Sequence, residues 1–197
     1  VKTLIDEQRL QARITEMARE IDEHYEQQEW YRKTQEPVVI VGVLTGAVFF
    51  MADLVRQLSI RVELDFMRVS TYPGKATVAQ TPKIITPPDR LLEDAHVLIL
   101  DDILDTGKTL KIVEEYIATH VPRSMRTCVL LRKPGKAVGN VGADFVGFDI
   151  PDEFIVGYGL DYNCRYREKP YVAIWSEEDE QSTSKSEFGR DQAFHCD

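Results

Sequence analysis

Short apolar runs rich in β-branched residues constrain this chain more than any other feature. Residues 38–44 read VVIVGVL and residues 97–100 read VLIL. A strand with one wet face alternates polar and apolar residues. A run with no polar member is instead the pattern of a strand covered on both faces, as in a parallel sheet between helices. Helical patterns separate these runs. Asp6 is placed to cap a helix over about residues 6–28, with Leu10, Ile14, Met17, Ala18 and Ile21 on one stripe, before the polar stretch 27–37. Thr45-Gly46 breaks the first run, and residues 47–58 (AVFFMADLVRQL) and 109–119 predict two more helices. Residues 61–69 alternate, with Val62, Leu64 and Phe66 on one side of a predicted strand. Short strands are also predicted at 84–85, 127–131, in DFVGFDI, in FIVGYGL and in YVAIW. Strands alternating with helices define an α/β domain with a mainly parallel central sheet flanked by helices.

At 197 residues the chain is long enough for one domain with a sizeable core. That domain is expected over residues 1–175, its core over about 36–175. From Ser176 onward, seven acidic residues face two basic ones, so the segment 176–197 carries −5 of the net −9. It is polar and biased and is expected to be a flexible acidic tail. The mildly acidic body predicts no nucleic-acid partner, since non-specific nucleic-acid binding needs a basic face. No apolar run approaches the ~20 residues that span a bilayer, so no membrane partner is expected. The N-terminal segment lacks a signal-peptide core, and a cytoplasmic location is expected. Cys128, Cys164 and Cys196 form no CxxC pair and are expected to be free thiols, Cys128 in the core. His24, His96, His120 and His195 have no zinc-ligand spacing.

The chemistry concentrates in residues 97–110, VLILDDILDTGKTL. In open parallel sheets ligands bind beyond the carboxyl ends of the strands, where Asp101 and Asp102 are expected. Asp105 to Thr109 forms the turn into the next helix. A helix N-terminus offers unpaired N–H groups and the positive end of a dipole, which suits phosphate. Gly107 permits close backbone approach, and Thr106 and Thr109 add hydroxyl donors. A Walker loop requires GxxxxGK[ST], and Asp102 stands where its first glycine would be, which disfavours a nucleoside-triphosphate loop. Carboxylates this near a phosphate need another partner: ribose hydroxyls, which donate to ionised acceptors, or a magnesium ion held partly through water.

This segment resembles the phosphoribosyl-pyrophosphate (PRPP) motif of type I phosphoribosyltransferases. It is most similar to the form found in hypoxanthine-guanine phosphoribosyltransferases. The segments LRKPGK, DFVGFDIPDEFIVGYGLDYN and YREKPYV resemble that family's purine-site and C-terminal segments. The resemblance runs from about residue 38 to 175. It implies the type I phosphoribosyltransferase fold, with a small hood built from the chain ends. It also implies purine salvage: transfer of 5-phosphoribose from PRPP to hypoxanthine or guanine, giving IMP or GMP and pyrophosphate, with Mg2+ as cofactor.

By the same resemblance, Asp101 and Asp102 bind the ribose hydroxyls, and Asp102 also approaches magnesium. The family usually has Glu where Asp101 stands. Asp105 matches the general base at purine N7, and Thr106, Gly107, Lys108 and Thr109 form the 5′-phosphate cradle. Lys133 matches the donor to the purine 6-oxo group. Phe154 matches the ring that stacks on the base, and Ile155 offers its carbonyl to the ring edge. Asp161 matches a magnesium-associated carboxylate and Arg167 a pyrophosphate-binding arginine. Thr45 and Gly46 align with the family's pyrophosphate loop, in which a non-proline cis peptide, costing ~3–4 kcal/mol, is often seen. Many relatives carry Lys or Arg where Thr45 stands. Ser70, Thr71 and Tyr72 resemble the start of the family's lid loop, expected to close over the site and exclude water. Family members usually form dimers or tetramers, so a homodimer or homotetramer is expected. Two alternatives remain open at this point: a xanthine-preferring enzyme, or a non-catalytic sensor of PRPP or nucleotide on the same fold.

Overall fold

A computed structural model describes residues 1–70, 82–139 and 141–176. Its centre is a six-stranded sheet built from β2 (Val38–Leu44), β3 (Val62–Ser70), β4 (Lys83–Thr86), β5 (His96–Leu104), β6 (Ser124–Arg132) and β7 (Phe145–Asp149), in the order β4-β3-β2-β5-β6-β7. All neighbours are parallel except β4, which runs antiparallel to β3.

The unbroken apolar runs are covered on both faces, as their composition requires. Val38 and Ile40 of β2, with Leu98 and Leu100 of β5, face one core; Val39, Val41 and Val43, with Val97 and Ile99, face the other. The first core is closed by α1 (Glu7–Glu26) and α3 (Val48–Val55), the second by α4 (Lys108–Ala118) through Leu110, Val113 and Ile117. Asp6 caps α1 by accepting from the Arg9 N–H at 2.8 Å, and Leu10, Ile14, Met17, Ala18, Ile21 and Tyr25 are its buried residues.

The chain ends supply a second, three-stranded antiparallel sheet: β1 (Lys2–Ile5), β9 (Val172–Ile174) and β8 (Ile155–Val156), in that order. It forms the hood, with the fold class as expected.

Four local expectations are corrected or extended. The strand read at 97–100 continues to Leu104, because β6 still pairs with it at Asp101, Ile103 and Leu104 after β2 has left at the Gly42–Leu100 register. The polar stretch after α1 holds a short helix, α2 (Glu29–Thr34), whose Tyr31 is buried and accepts the Arg61 N–H on its hydroxyl oxygen at 2.8 Å. In β3, Leu64 and Phe66 are 44% and 43% exposed while Asp65 and Met67 point inward. Asp65 tolerates this because its carboxylate accepts from the backbone N–H groups of Phe66 and Arg90. Finally, Cys128 is a buried free thiol but Cys164 is not free. Thr71, Tyr72, Cys196 and the tail beyond Ser176 lie outside the described residues. Among the described residues, no helix is long and apolar enough to cross a membrane.

Candidate active site

The strand order places the site. β2 runs through α3 to β3 on one side, and β5 runs through α4 to β6 on the other, so the connections diverge between β2 and β5. A crevice opens at the carboxyl ends of strands where such a divergence occurs. A cleft of about 860 Å³ lies there. Every described candidate from the sequence lines it: Thr45, Gly46, Ser70, Asp101, Asp102, Asp105, Thr106, Gly107, Lys108, Thr109, Lys133, Phe154, Ile155, Asp161 and Arg167.

The floor is the acidic pair. Asp101 is 5% exposed, and its Oδ1 accepts from the Asp102 N–H at 3.0 Å. Burial, then the neighbouring Asp102 carboxylate, pushes the Asp101 carboxyl well above the ordinary aspartate range. Burial also raises Asp102, with opposing help from Asp101, backbone N–H groups and the Arg167 charge. Two close carboxylates at this depth call for a partner that donates or carries positive charge. Ribose hydroxyls and a cation both qualify.

The loop after β2 lies against this pair. The Leu44–Thr45 peptide is cis. A Cβ on Gly46 would stand 1.6 Å from Asp102 Oδ2, so only glycine lets the backbone lie this close to the carboxylate. The segment after β8 presses on the same loop from the hood side: a Cβ on Gly159 would meet the Gly46 carbonyl oxygen at 1.9 Å. Tyr158 anchors that segment by donating to Asp53 Oδ2 of α3 at 2.5 Å, and Gln11 of α1 donates to the same oxygen at 2.8 Å.

On the other side of the cleft, the turn 105–107 leads into α4, with Gly107 at the cap in the left-handed region (φ 78°). The Thr106 carbonyl accepts from the Val138 N–H at 3.1 Å, which ties this turn to the loop after β6. Lys133, at the end of β6, is only 7% exposed, so it is not an ordinary surface lysine. Its Nζ lies 3.2 Å from Asp105 Oδ2. Phe154 is 52% exposed, which rules out simple core packing, and its ring stands edge-on to Tyr162 and Trp175. Arg167 donates to the Gly159 carbonyl at 2.5 Å and pairs with Asp161 Oδ1 at 2.7 Å.

Three further residues belong to this region and were not singled out from the sequence. Arg68 lines the cleft at the carboxyl end of β3, opposite Leu44 in the parallel register. Lys136 and Asp152 contact Asp105 and Lys133. Arg68 could have been found by asking which charged residue ends a parallel strand. The other two depend on loop geometry that carries no periodic signal.

A pair of acceptors suited to ribose hydroxyls and a turn suited to phosphate, consecutive along one strand and its exit, define a phosphoribosyl-binding α/β protein. Residues 1–163 match the phosphoribosyl transferase domain model, and the chain belongs to the phosphoribosyl transferase family. It is 41% identical over 172 residues to the hypoxanthine phosphoribosyltransferase of Escherichia coli K12, covering 87% of this chain and 93% of that one. The hypoxanthine-guanine phosphoribosyltransferase of Aquifex aeolicus is similar to the same degree, 41% over 172 residues with the same coverage. Among solved structures, a hypoxanthine phosphoribosyltransferase from Staphylococcus aureus superposes with a TM-score of 0.80 at 35% identity, covering 90% of this chain and 92% of that one.

Proposed function

We propose that this chain transfers 5-phosphoribose from PRPP to hypoxanthine or guanine, releasing pyrophosphate and giving IMP or GMP. The observation that carries this reading is the buried Lys133 beside Asp105, in the same cleft as the exposed ring of Phe154 and the acidic pair. A buried ammonium donor discriminates a 6-oxo group, which accepts, from a 6-amino group, which donates.

In this reading Asp101 and Asp102 take the ribose hydroxyls, and the turn 105–109 cradles the 5′-phosphate. As the C1′–O bond to pyrophosphate breaks, the purine nitrogen bonds C1′ and the displaced ring proton passes to Asp105. Base-to-proton distance is the first requirement for that role, and Asp105 lines the cleft that would hold the base. The backbone of Thr45 and Gly46, with Arg167, receives the departing pyrophosphate; the guanidinium is a forked donor suited to it.

A phosphoribosyl transferase of this kind works with a divalent cation, and we assign magnesium. Among the described residues no three His, Cys, Asp or Glu side chains converge to form a cage. Two separate cleft carboxylates, Asp102 and Asp161, fit magnesium's habit of taking one or two protein carboxylates with water and substrate oxygens. When bound, magnesium supplies charge neutralisation of the pyrophosphate. We also propose self-association as a homodimer or homotetramer, supported by the exposed apolar pair Leu64 and Phe66 on one face of β3.

The test is nucleotide production from PRPP and magnesium with each purine offered separately. IMP and GMP are the expected products. XMP alone would move the assignment to a xanthine enzyme, and PRPP binding with no product from any base would favour a non-catalytic sensor.

A further inference from the structure

We infer that Lys136 and Asp152 are positioning residues for the purine half of the reaction, acting through Asp105 and Lys133; the inference rests on the function proposed above. The four side chains form a closed ring of alternating charge. Lys133 Nζ lies 3.2 Å from Asp105 Oδ2 and 3.5 Å from Asp152 Oδ1. Lys136 Nζ lies 3.1 Å from Asp105 Oδ1 and pairs with Asp152 Oδ1 as well. Each carboxylate therefore meets both lysines, and the two oxygens of Asp105 are divided between them.

The backbone builds this ring. Residues 133–136 read Lys-Pro-Gly-Lys, with Gly135 at φ 75° and the Lys136 N–H donating to the Lys133 carbonyl at 3.4 Å. Proline second and a left-handed glycine third are the signature of a type II turn. The turn folds Lys136 back beside Lys133, so two lysines three apart converge on one aspartate. Asp152 arrives from the segment between β7 and β8, two residues before Phe154.

The ring resolves a conflict in the site. Lys133 must share its three N–H donors between Asp105 and a purine oxo group, and Asp105 must free an oxygen for the ring proton. If these two were the only partners, each would hold the other. Asp105 Oδ1 is buried without a hydrogen bond, and the ion pair to Lys136 holds it in place when Oδ2 turns to the purine. Asp152 offers Lys133 a second carboxylate, so the ammonium stays charge-balanced as it exchanges Asp105 for the base. The side chains of Asp152 and Lys136 are largely or partly exposed (63% and 35%), whereas that of Lys133 is buried. The outer pair can thus be altered without opening the core.

The experiment compares wild type, Lys136→Met, Lys136→Arg and Asp152→Asn by steady-state kinetics, varying hypoxanthine and PRPP separately, alongside thermal melts. Lys136→Met is expected to lower kcat/KM for hypoxanthine about tenfold while the KM for PRPP moves less than about twofold. Lys136→Arg should restore most of the loss, and Asp152→Asn should raise the KM for hypoxanthine several-fold. Melting temperatures should stay within about 2 °C of wild type, because exposed ion pairs contribute little to stability. In an Asp105→Asn background, Lys136→Met should cost nothing further, since it acts through Asp105. Wild-type kinetics in Lys136→Met, equal losses for hypoxanthine and PRPP, or full additivity with Asp105→Asn would overturn the positioning role. A wild-type protein that makes no nucleotide would instead overturn the proposed function, and this inference with it.

Discussion

Lys133 and Asp105 are each other's ion-pair partners, Nζ to Oδ2 at 3.2 Å, at the junction of β6 and the turn before α4. The donor that would read the purine and the carboxylate that would take its proton are therefore set against one another by the fold. Nothing in local sequence joins them. They meet because β5 and β6 are adjacent parallel strands whose carboxyl ends are level, with Leu104 opposite Arg132.

Lys133→Ala should weaken hypoxanthine binding by about 10- to 100-fold and leave PRPP binding within about twofold, since a charge-assisted hydrogen bond to the base is lost. Separate titrations of each substrate check this. Equal weakening of both would point to a folding defect.

Asp105→Asn keeps the shape of the side chain and removes its capacity to accept a proton. Turnover should fall by about 100-fold or more with PRPP binding largely intact. Unchanged turnover would remove Asp105 from the base role.

Gly46→Ala should act through Asp102. The new methyl would collide with Oδ2 of that carboxylate, and a misplacement of about 1 Å at such a site can cost 100-fold in rate. A fall in kcat/KM for PRPP of at least about tenfold is expected, with the melting temperature changed far less than the activity. A fully active variant would show that Asp102 need not lie where the structure places it.

Stability should fall on mild acidification, partly through His96. Its ring is 4% exposed, stacks on Trp30 at 3.4 Å, and bonds Ser124 Oγ through Nδ1, while Nε2 is buried without a partner. Burial, then the Arg123 charge, lowers its pKa below the ordinary histidine value, against a smaller opposing pull from Glu36. Below about pH 6.5 the unfolded chain then binds more protons than the folded one. This contribution is present above that pH and is lost as pH falls through the depressed value. His96→Phe keeps a ring against Trp30 and should shrink the drop in melting temperature between pH 7.5 and 5.5. An unchanged drop would show that His96 does not titrate with unfolding.

Much of the fold was legible because burial on both faces leaves a one-letter signature: β2 and residues 97–100 of β5 contain no polar residue. Where long-range pairing decides, that signature fails. β1 is four residues long and exists only through its pairing with β9. Asp101 and Asp102 read as the end of a strand but lie within β5, because β6 and not local composition sets its length. Leu64 and Phe66 show the opposite failure, since alternation gave the strand but not which side is covered. The candidate site divides in the same way. Residues 101–109 are contiguous and their spacing carries the chemistry. Arg68 comes to the cleft by sheet register, and Lys136 and Asp152, from two other segments, reach Asp105 and Lys133 behind it.

The most direct test is the ratio of kcat/KM for hypoxanthine to that for adenine, measured with saturating PRPP and magnesium. A lysine donor buried at the base's sixth position predicts a ratio of about 1,000 or more, with guanine close to hypoxanthine. Comparable rates for adenine and hypoxanthine would contradict the account, because Lys133 would then not be reading the purine.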